Sequence, residues 1–379
     1  MARKNFPLRT SACDGMLLDG RFEILGLLAR GGTSKVYIAR DRRNRKFVAV
    51  KWLSAQAATD PHHLQRFFFG ARAIMGLEHP GIAQVLCIGE PAGQPPYMVM
   101  EALEGETLAE YLERQPRPDN EFVLMLLREV AGGLAAAHDA GLVHRDIKPG
   151  NLFLVGPLGA PTGVKIIDFG FSKDMGEEYS GSDKRNLVLG TAQYMAPEQV
   201  LADPVDRRAD IYALGVVLFR ILTGQLPFDL DPSLELFGHQ LFSPVPPLSW
   251  LNESIDGRLE KLVLRCLHKN PDNRYASTHE LLKDLARIES SESATEPVSP
   301  STPGKVEPDV YRPRNARGRE IARSLAEHFG VEPPPPSTSR IETHRIEAPR
   351  ITGLSGSHII LPVAESPTAK AVREARGRR

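Results

Sequence analysis

Hydrophobic and polar positions divide the chain into two regimes and a tail. Between residues 22 and 100, short apolar runs (22–28, 36–39, 47–52, 82–88 and 97–100) are separated by turn-forming stretches. One segment with a helical pattern, 61–77, interrupts them. This predicts a small, mostly antiparallel sheet carrying one helix. From residue 107 the period changes: 121–140, 209–222, 259–267 and 278–287 read as helices, so a second, helix-rich part follows. The longest apolar run, 211–219, is about half of what a membrane span needs and is read as a buried helix of that part.

Past residue 289 the pattern fades. Ser, Thr, Pro and Glu dominate to about residue 308, and 333–336 is a proline run, which predicts an extended or disordered tail over 289–379. Within it, 317–329 reads as a short helix, with Ile321, Leu325 and Phe329 on one face and Gly330 as the stop. Arg-Ile pairs recur at 340–341, 345–346 and 350–351. A period of five fits neither helix nor strand, so these pairs are low-complexity tail or, alternatively, a short motif that docks a partner. Residues 1–20 form a polar extension.

Composition adds exclusions. The 379 residues are 41% hydrophobic and 25% charged, enough for a two-lobed domain of about 270 residues with a large core. Lys+Arg and Asp+Glu both number 47, which speaks against nucleic-acid or membrane-surface binding through bulk charge. Cys13, Cys87 and Cys266 are widely spaced, as expected of reduced thiols in a cytoplasmic protein rather than of a disulfide framework. Arg3 and Lys4 are not followed by an apolar stretch, so no signal peptide is expected. His62-His63 reads as exposed residues at a helix start rather than as a metal site.

The chemistry concentrates in His144-Arg145-Asp146-Ile147-Lys148-Pro149-Gly150-Asn151, which puts a base, a cation and a metal ligand on one short loop. Asp168-Phe169-Gly170 and Ala196-Pro197-Glu198 follow. Each trio alone arises readily by chance, but their order and spacing together read as phosphoryl-transfer machinery. On these residues, 21–288 resembles a protein serine/threonine kinase domain, of the eukaryote-like type found in bacteria. The resemblance implies an α+β, two-lobed protein kinase-like fold. A small β-rich N-lobe would span about 21–101 and a larger α-helical C-lobe about 104–288. ATP and Mg²⁺ would be the cofactors and proteins the substrates.

Residue by residue, the resemblance implies Asp146 as the base or orienter of a substrate hydroxyl and Lys148 as a contact to the transferred phosphoryl group. Asn151 and Asp168 would hold the metal, which suits a hard cation that keeps its phosphates and waters. Val48-Ala49-Val50-Lys51 resembles the strand presenting the ATP-contacting lysine, Lys51. Val36 and Ala49 would pack on the adenine, and Glu101 to Leu103 would supply hinge hydrogen bonds. Lys148 and the Gly190–Glu198 stretch, which resembles a peptide-substrate platform, point to serine/threonine rather than tyrosine transfer. Glu198 and Arg274 resemble an internal ion pair, and Asp210 the residue that anchors the catalytic loop. Ser180 and Ser182 are the candidate phosphorylation sites of the 168–198 segment, with Arg145 as the phosphate's partner.

Two departures matter. The three glycine positions of the phosphate-covering loop are Ala29, Gly31 and Ser34, so only one matches. The helix glutamate expected to pair with Lys51 is Gly70, and no Asp or Glu occurs from 61 to 77. Lys51 thereby loses an orienting partner but also a competing anion. A unit-charge contact near 4 Å is worth roughly 4 kcal/mol at an effective dielectric near 20, enough to hold Lys51 on phosphate. The expected function is an ATP-dependent serine/threonine protein kinase, with reduced activity. The alternatives are a pseudokinase scaffold and a small-molecule phosphotransferase.

Overall fold

Six antiparallel strands form the first sheet: β1 (Leu17–Leu18), β2 (Phe22–Arg30), β3 (Ser34–Asp41), β4 (Phe47–Leu53), β5 (Val85–Gly89) and β6 (Tyr97–Glu101), in the order β1-β2-β3-β4-β6-β5. Strand alternation explains its core. Val48 and Val50 of β4 join Phe22, Ile24, Tyr37 and Val99 in one apolar cluster, while Ala49 and Lys51 belong to the opposite face. In this computed structural model, residues 13–91, 93–169, 192–230, 233–290 and 309–333 are described, without the side chains of His62, Arg66 and Leu234. The described chain forms two units, one of residues 13–78 and 83–103, the other of 79–82 and 104–333.

The first unit adds two helices, α1 (Ala55–Ala58) and α2 (Pro61–Met75). α2 begins on a proline, whose missing N–H costs nothing at a first helical position, and it packs on β5. His63 bonds the Asp60 carboxylate at 2.7 Å at the helix start and is half-buried rather than exposed. The 82–88 run is shorter as a strand than its apolar pattern suggests. Ile82 instead makes an isolated parallel bridge to Ile166 within the second unit.

The second unit opens with β7 (Gly105–Thr107) and α3 (Leu108–Arg114), joined by a capping box between Thr107 and Glu110. α4 (Asn120–Asp139) is capped by Asp119, which accepts the Phe122 N–H at 2.8 Å. β8 (Leu152–Val155) and β9 (Gly163–Ile166) complete a three-stranded sheet in the order β7-β8-β9. Then come α5 (Pro197–Val200), α6 (Arg208–Thr223), α7 (Leu234–Phe242), α8 (Gly257–Cys266) and α9 (Thr278–Ser290). α6 holds the longest apolar run and is buried almost all round, so it is the central helix of the core rather than a surface one. It stops at Gly224, whose φ of 79° glycine adopts without the cost a Cβ would add.

The expected β-rich and α-rich parts are thus both present, with the anticipated helices within a few residues of their patterns. The tail differs from expectation in one stretch. Residues 309–333 hold α10 (Ala316–Phe329), the helix anticipated at 317–329, capped by Asn315 and stopped by Gly330. This stretch is packed rather than extended: Tyr311, Ala322 and Leu325 share a buried cluster with Val200, Leu236 and Leu241. The reason is that its apolar residues are few but grouped, which the surrounding Ser/Pro-rich composition hides. The proposed phosphorylation sites Ser180 and Ser182, the rest of 170–191, the Arg-Ile pairs, 334–336 and 1–12 lie outside the described residues.

Candidate functional site

The loop 144–151 is held from three sides. Asp210, at the start of α6, accepts the backbone N–H of His144 at 2.8 Å and of Arg145 at 2.7 Å, and binds His138 Nε2 at 2.8 Å. Burial by itself would raise the Asp210 carboxyl. The hydrogen bonds from His138 and from the His144 N–H outweigh it and hold the group below its ordinary range, so Asp210 is an anion inside the core. Gln199 of α5 donates to the Arg145 carbonyl at 2.9 Å. Arg145 has φ 64°, a conformation that costs free energy in a residue with Cβ, and bonds at both its amide and its carbonyl fix it there.

His144 is fully buried. Burial pushes its pKa down despite the neighbouring carboxylates, so the ring is neutral. Its Nδ1 accepts the Asp146 N–H at 3.2 Å, and Nε2 faces the Ile167 carbonyl at 3.2 Å, which assigns the proton to Nε2. The ring also packs on Phe169, with centroids 4.6 Å apart. His144 therefore ties the loop to the segment that presents Asp168.

Three of the anticipated residues converge on this loop. Lys148 Nζ lies 2.9 and 3.1 Å from the two Asp146 carboxylate oxygens. Asn151 Nδ2 donates to the Asp146 carbonyl at 2.7 Å and to its Oδ2 at 3.0 Å, which directs the remaining amide oxygen of Asn151 away from those bonds. The Asn151 carbonyl accepts the Ile167 N–H at 2.9 Å, one residue before Asp168. Asp168 itself is exposed, at φ 53°. An amide oxygen and one carboxylate are hard donors of the kind Mg²⁺ accepts when phosphates and water complete its shell.

Below the loop, Glu198 and Arg274 form a buried bidentate pair at 2.7 and 2.9 Å. Arg274 also donates to the carbonyls of His268, Lys269 and Arg208, so three of its five N–H donors fix backbone and two hold Glu198. This is the ion pair read from the sequence, and Asp210 is the anchor read there. Gln199 and His138 were not legible. Their partners lie 54 and 72 positions away, and neither residue type in a helix signals such a contact.

In the first unit, Ala29 pairs across the sheet with Val36, and Val36 with Lys51. Gly31 closes the turn between β2 and β3 by donating to the Ser34 carbonyl at 2.8 Å. Neither Ala29, Gly31 nor Ser34 has a positive φ, so alanine and serine carry no backbone strain at the two positions that lack glycine. Lys51 and Ala49 lie on β4, opposite Met98 and Met100 of β6. The Glu101 amide is taken by the Gln84 carbonyl at 3.0 Å and its carboxylate by the Gln84 N–H at 2.8 Å, while Leu103 follows the end of β6. Gly70 is buried in α2.

The protein kinase domain model matches residues 22–285. The chain belongs to the protein kinase family. This kinase is 37% identical over 284 residues to the serine/threonine-protein kinase PknB of Mycobacterium tuberculosis, covering 74% of this chain and 45% of PknB. It is 35% identical over 352 residues to PknA of the same organism, covering 92% of this chain and 78% of PknA. Among solved structures it resembles the M. tuberculosis PknI kinase domain, with a TM-score of 0.57 and 26% identity over 73% of this chain and 99% of that one. The kinase thus spans about half the length of the PknB proteins it matches. Among the described residues no helix is long and apolar enough to cross a membrane.

Proposed function

We propose that this kinase transfers the γ-phosphoryl group of ATP to serine and threonine hydroxyls of protein substrates. The observation that carries the reading is the Asp146–Lys148–Asn151 constellation on a loop fixed by Asp210 and Gln199. Phosphoryl transfer asks mainly for positioning and charge neutralisation, and a rigid loop with one carboxylate, one cation and one amide supplies both. Asp146 accepts the proton of the substrate hydroxyl as its oxygen bonds to phosphorus and the bond to the ADP oxygen breaks. Lys148, beside that carboxylate, neutralises charge on the transferred group. Asn151 and Asp168 would hold Mg²⁺, which supplies further neutralisation when bound.

Lys51 would contact the ATP phosphates, with Gly31 and the strand ends at Ala29 and Ser34 covering them. Val36 and Ala49 would pack on the base. Because the Glu101 amide is taken within the sheet, the hinge donor role falls to the residues after it, Leu103 among them. The similarity to PknB and PknA supports the serine/threonine assignment. The three cysteines, none of them in a disulfide, fit a reducing, cytoplasmic setting. The intact catalytic loop argues against a scaffold that only borrows the fold. Transfer of labelled phosphate from ATP to a generic protein substrate, with Asp146→Asn as control, tests the reading.

A further inference from the structure

Residues 309–333 lie on the second unit as a strap, and one carboxylate gathers it. Asp203, 4% exposed just after α5, accepts the Tyr311 hydroxyl at 2.9 Å, the Arg314 N–H at 2.8 Å and the Asn315 N–H at 2.9 Å. Asn315 Nδ2 donates to the Ala202 carbonyl at 3.1 Å. Ala202 has φ 50°, a strained conformation for alanine that persists only where its surroundings determine it. The strap supplies part of that determination.

The strap ends are fixed too. The Asp309 carboxylate accepts the Lys269 N–H at 3.0 Å and pairs with His268 at 2.8 Å. Tyr311 is fully buried, and its N–H donates to the Leu241 carbonyl of α7 at 3.1 Å. At the far end, Phe329 sits so close to Gly238 of α7 that a Cβ there would lie 2.4 Å from the ring.

From Asp203 the contacts run inward. Its N–H donates to the Glu198 carbonyl at 2.9 Å, and the next residue, Gln199, holds the Arg145 carbonyl beside Asp146. We propose that the strap is a positioning element of the catalytic loop: docked, it fixes the Ala202–Asp203 turn, and through α5 and Gln199 it fixes Arg145. This rests on the kinase reading, and it adds a dependence of turnover on residues that touch neither nucleotide nor substrate. Burial pushes the Asp203 carboxyl above its ordinary range, and the donors of Arg314, Tyr311 and Asn315 counter that rise, as expected of a hub that needs its strap.

Gly238→Leu tests the coupling in the full-length chain. Leucine favours the helix more than glycine does, so α7 itself is not weakened, while the Phe329 ring loses its place. Hydrogen–deuterium exchange is read at 316–329 and at 196–203, with kcat and ATP affinity beside it. The strap should exchange faster and 196–203 should lose protection. Turnover should fall by about tenfold, and ATP affinity should stay within about twofold. Adding Phe329→Ala should restore protection and most of the turnover. Tyr311→Phe, which removes only the hydroxyl contact to Asp203, should shift both readouts the same way by less. Release of 316–329 with wild-type protection at 196–203 and unchanged turnover would overturn the proposal. A wild-type chain with no transfer at all would sink the kinase reading instead, and the exchange data alone would then decide the coupling.

Discussion

Gln199 Nε2 donates to the Arg145 carbonyl at 2.9 Å and so joins α5 to the 144–151 loop. Its Oε1 accepts the Ala196 N–H at 3.0 Å, so one buried amide serves two backbone groups. Gln199→Met keeps the volume and removes both bonds. Leaving such groups unpaired costs roughly 1–3 kcal/mol, which thermal melts should register. Turnover should fall by about tenfold while ATP affinity holds, because the loss falls on Arg145 rather than on a nucleotide contact.

Asp210 binds one imidazole and two backbone N–H groups, all donors. Asn at this position would turn an NH₂ group toward at least one of them. Asp210→Asn should therefore cost about 3 kcal/mol or more and abolish transfer. Denaturant unfolding at neutral pH checks the first effect. A folded variant with stability within about 0.5 kcal/mol of wild type would show that the carboxylate is not the anchor.

Much of this was legible before any coordinates. Asp146, Lys148 and Asn151 sit within six positions, so a local loop brings them together and their spacing announces it. α4 and α6 have long, strongly apolar patterns. Asp203, Gln199 and His138 act through partners far along the chain, and nothing in their neighbourhood marks them. The strap was legible as a helix at 317–329 but not as a packed element, because Tyr311 and Asp309 lie in an otherwise polar, Pro-rich stretch. Whether alanine and serine suit the glycine positions of the 29–34 loop depends on local dihedrals that spacing does not reveal; Ala29 and Ser34 lie on extended strand backbone, where neither is strained.

Lys269 is fully buried, with Nζ over the Phe228 ring at 4.3 Å and near the His239 carbonyl at 3.4 Å. Burial lowers its pKa from 10.5 to about 7, partly countered by Asp309. The unfolded chain then binds more protons than the folded one between pH 7 and 10.5, so the cost of burying this cation is full below pH 7 and is relieved as pH rises above it. Lys269→Met should melt higher than wild type at pH 6 and lose most of that advantage by about pH 10. A pH-independent difference between the two proteins would contradict the assignment.

Gly70 leaves α2 without a carboxylate for Lys51. Gly70→Ala should stabilise the helix by up to about 1 kcal/mol. Gly70→Glu should raise turnover about two- to threefold by orienting Lys51, while Lys51→Met should remove most activity. Steady-state kinetics on the three variants decide this. Wild-type activity in Lys51→Met would remove β4 from the nucleotide site.

The central claim is that Asp146 acts on a substrate hydroxyl in a phosphoryl transfer from ATP. The most direct measurement is incorporation of labelled γ-phosphate into a protein substrate by wild type and by Asp146→Asn, with ATP binding measured calorimetrically in both. Wild type should label serine and threonine, and Asp146→Asn should fall by about 10²–10⁴-fold with nearly unchanged ATP affinity. Equal incorporation by the two proteins, or none by either despite tight ATP binding, would contradict it.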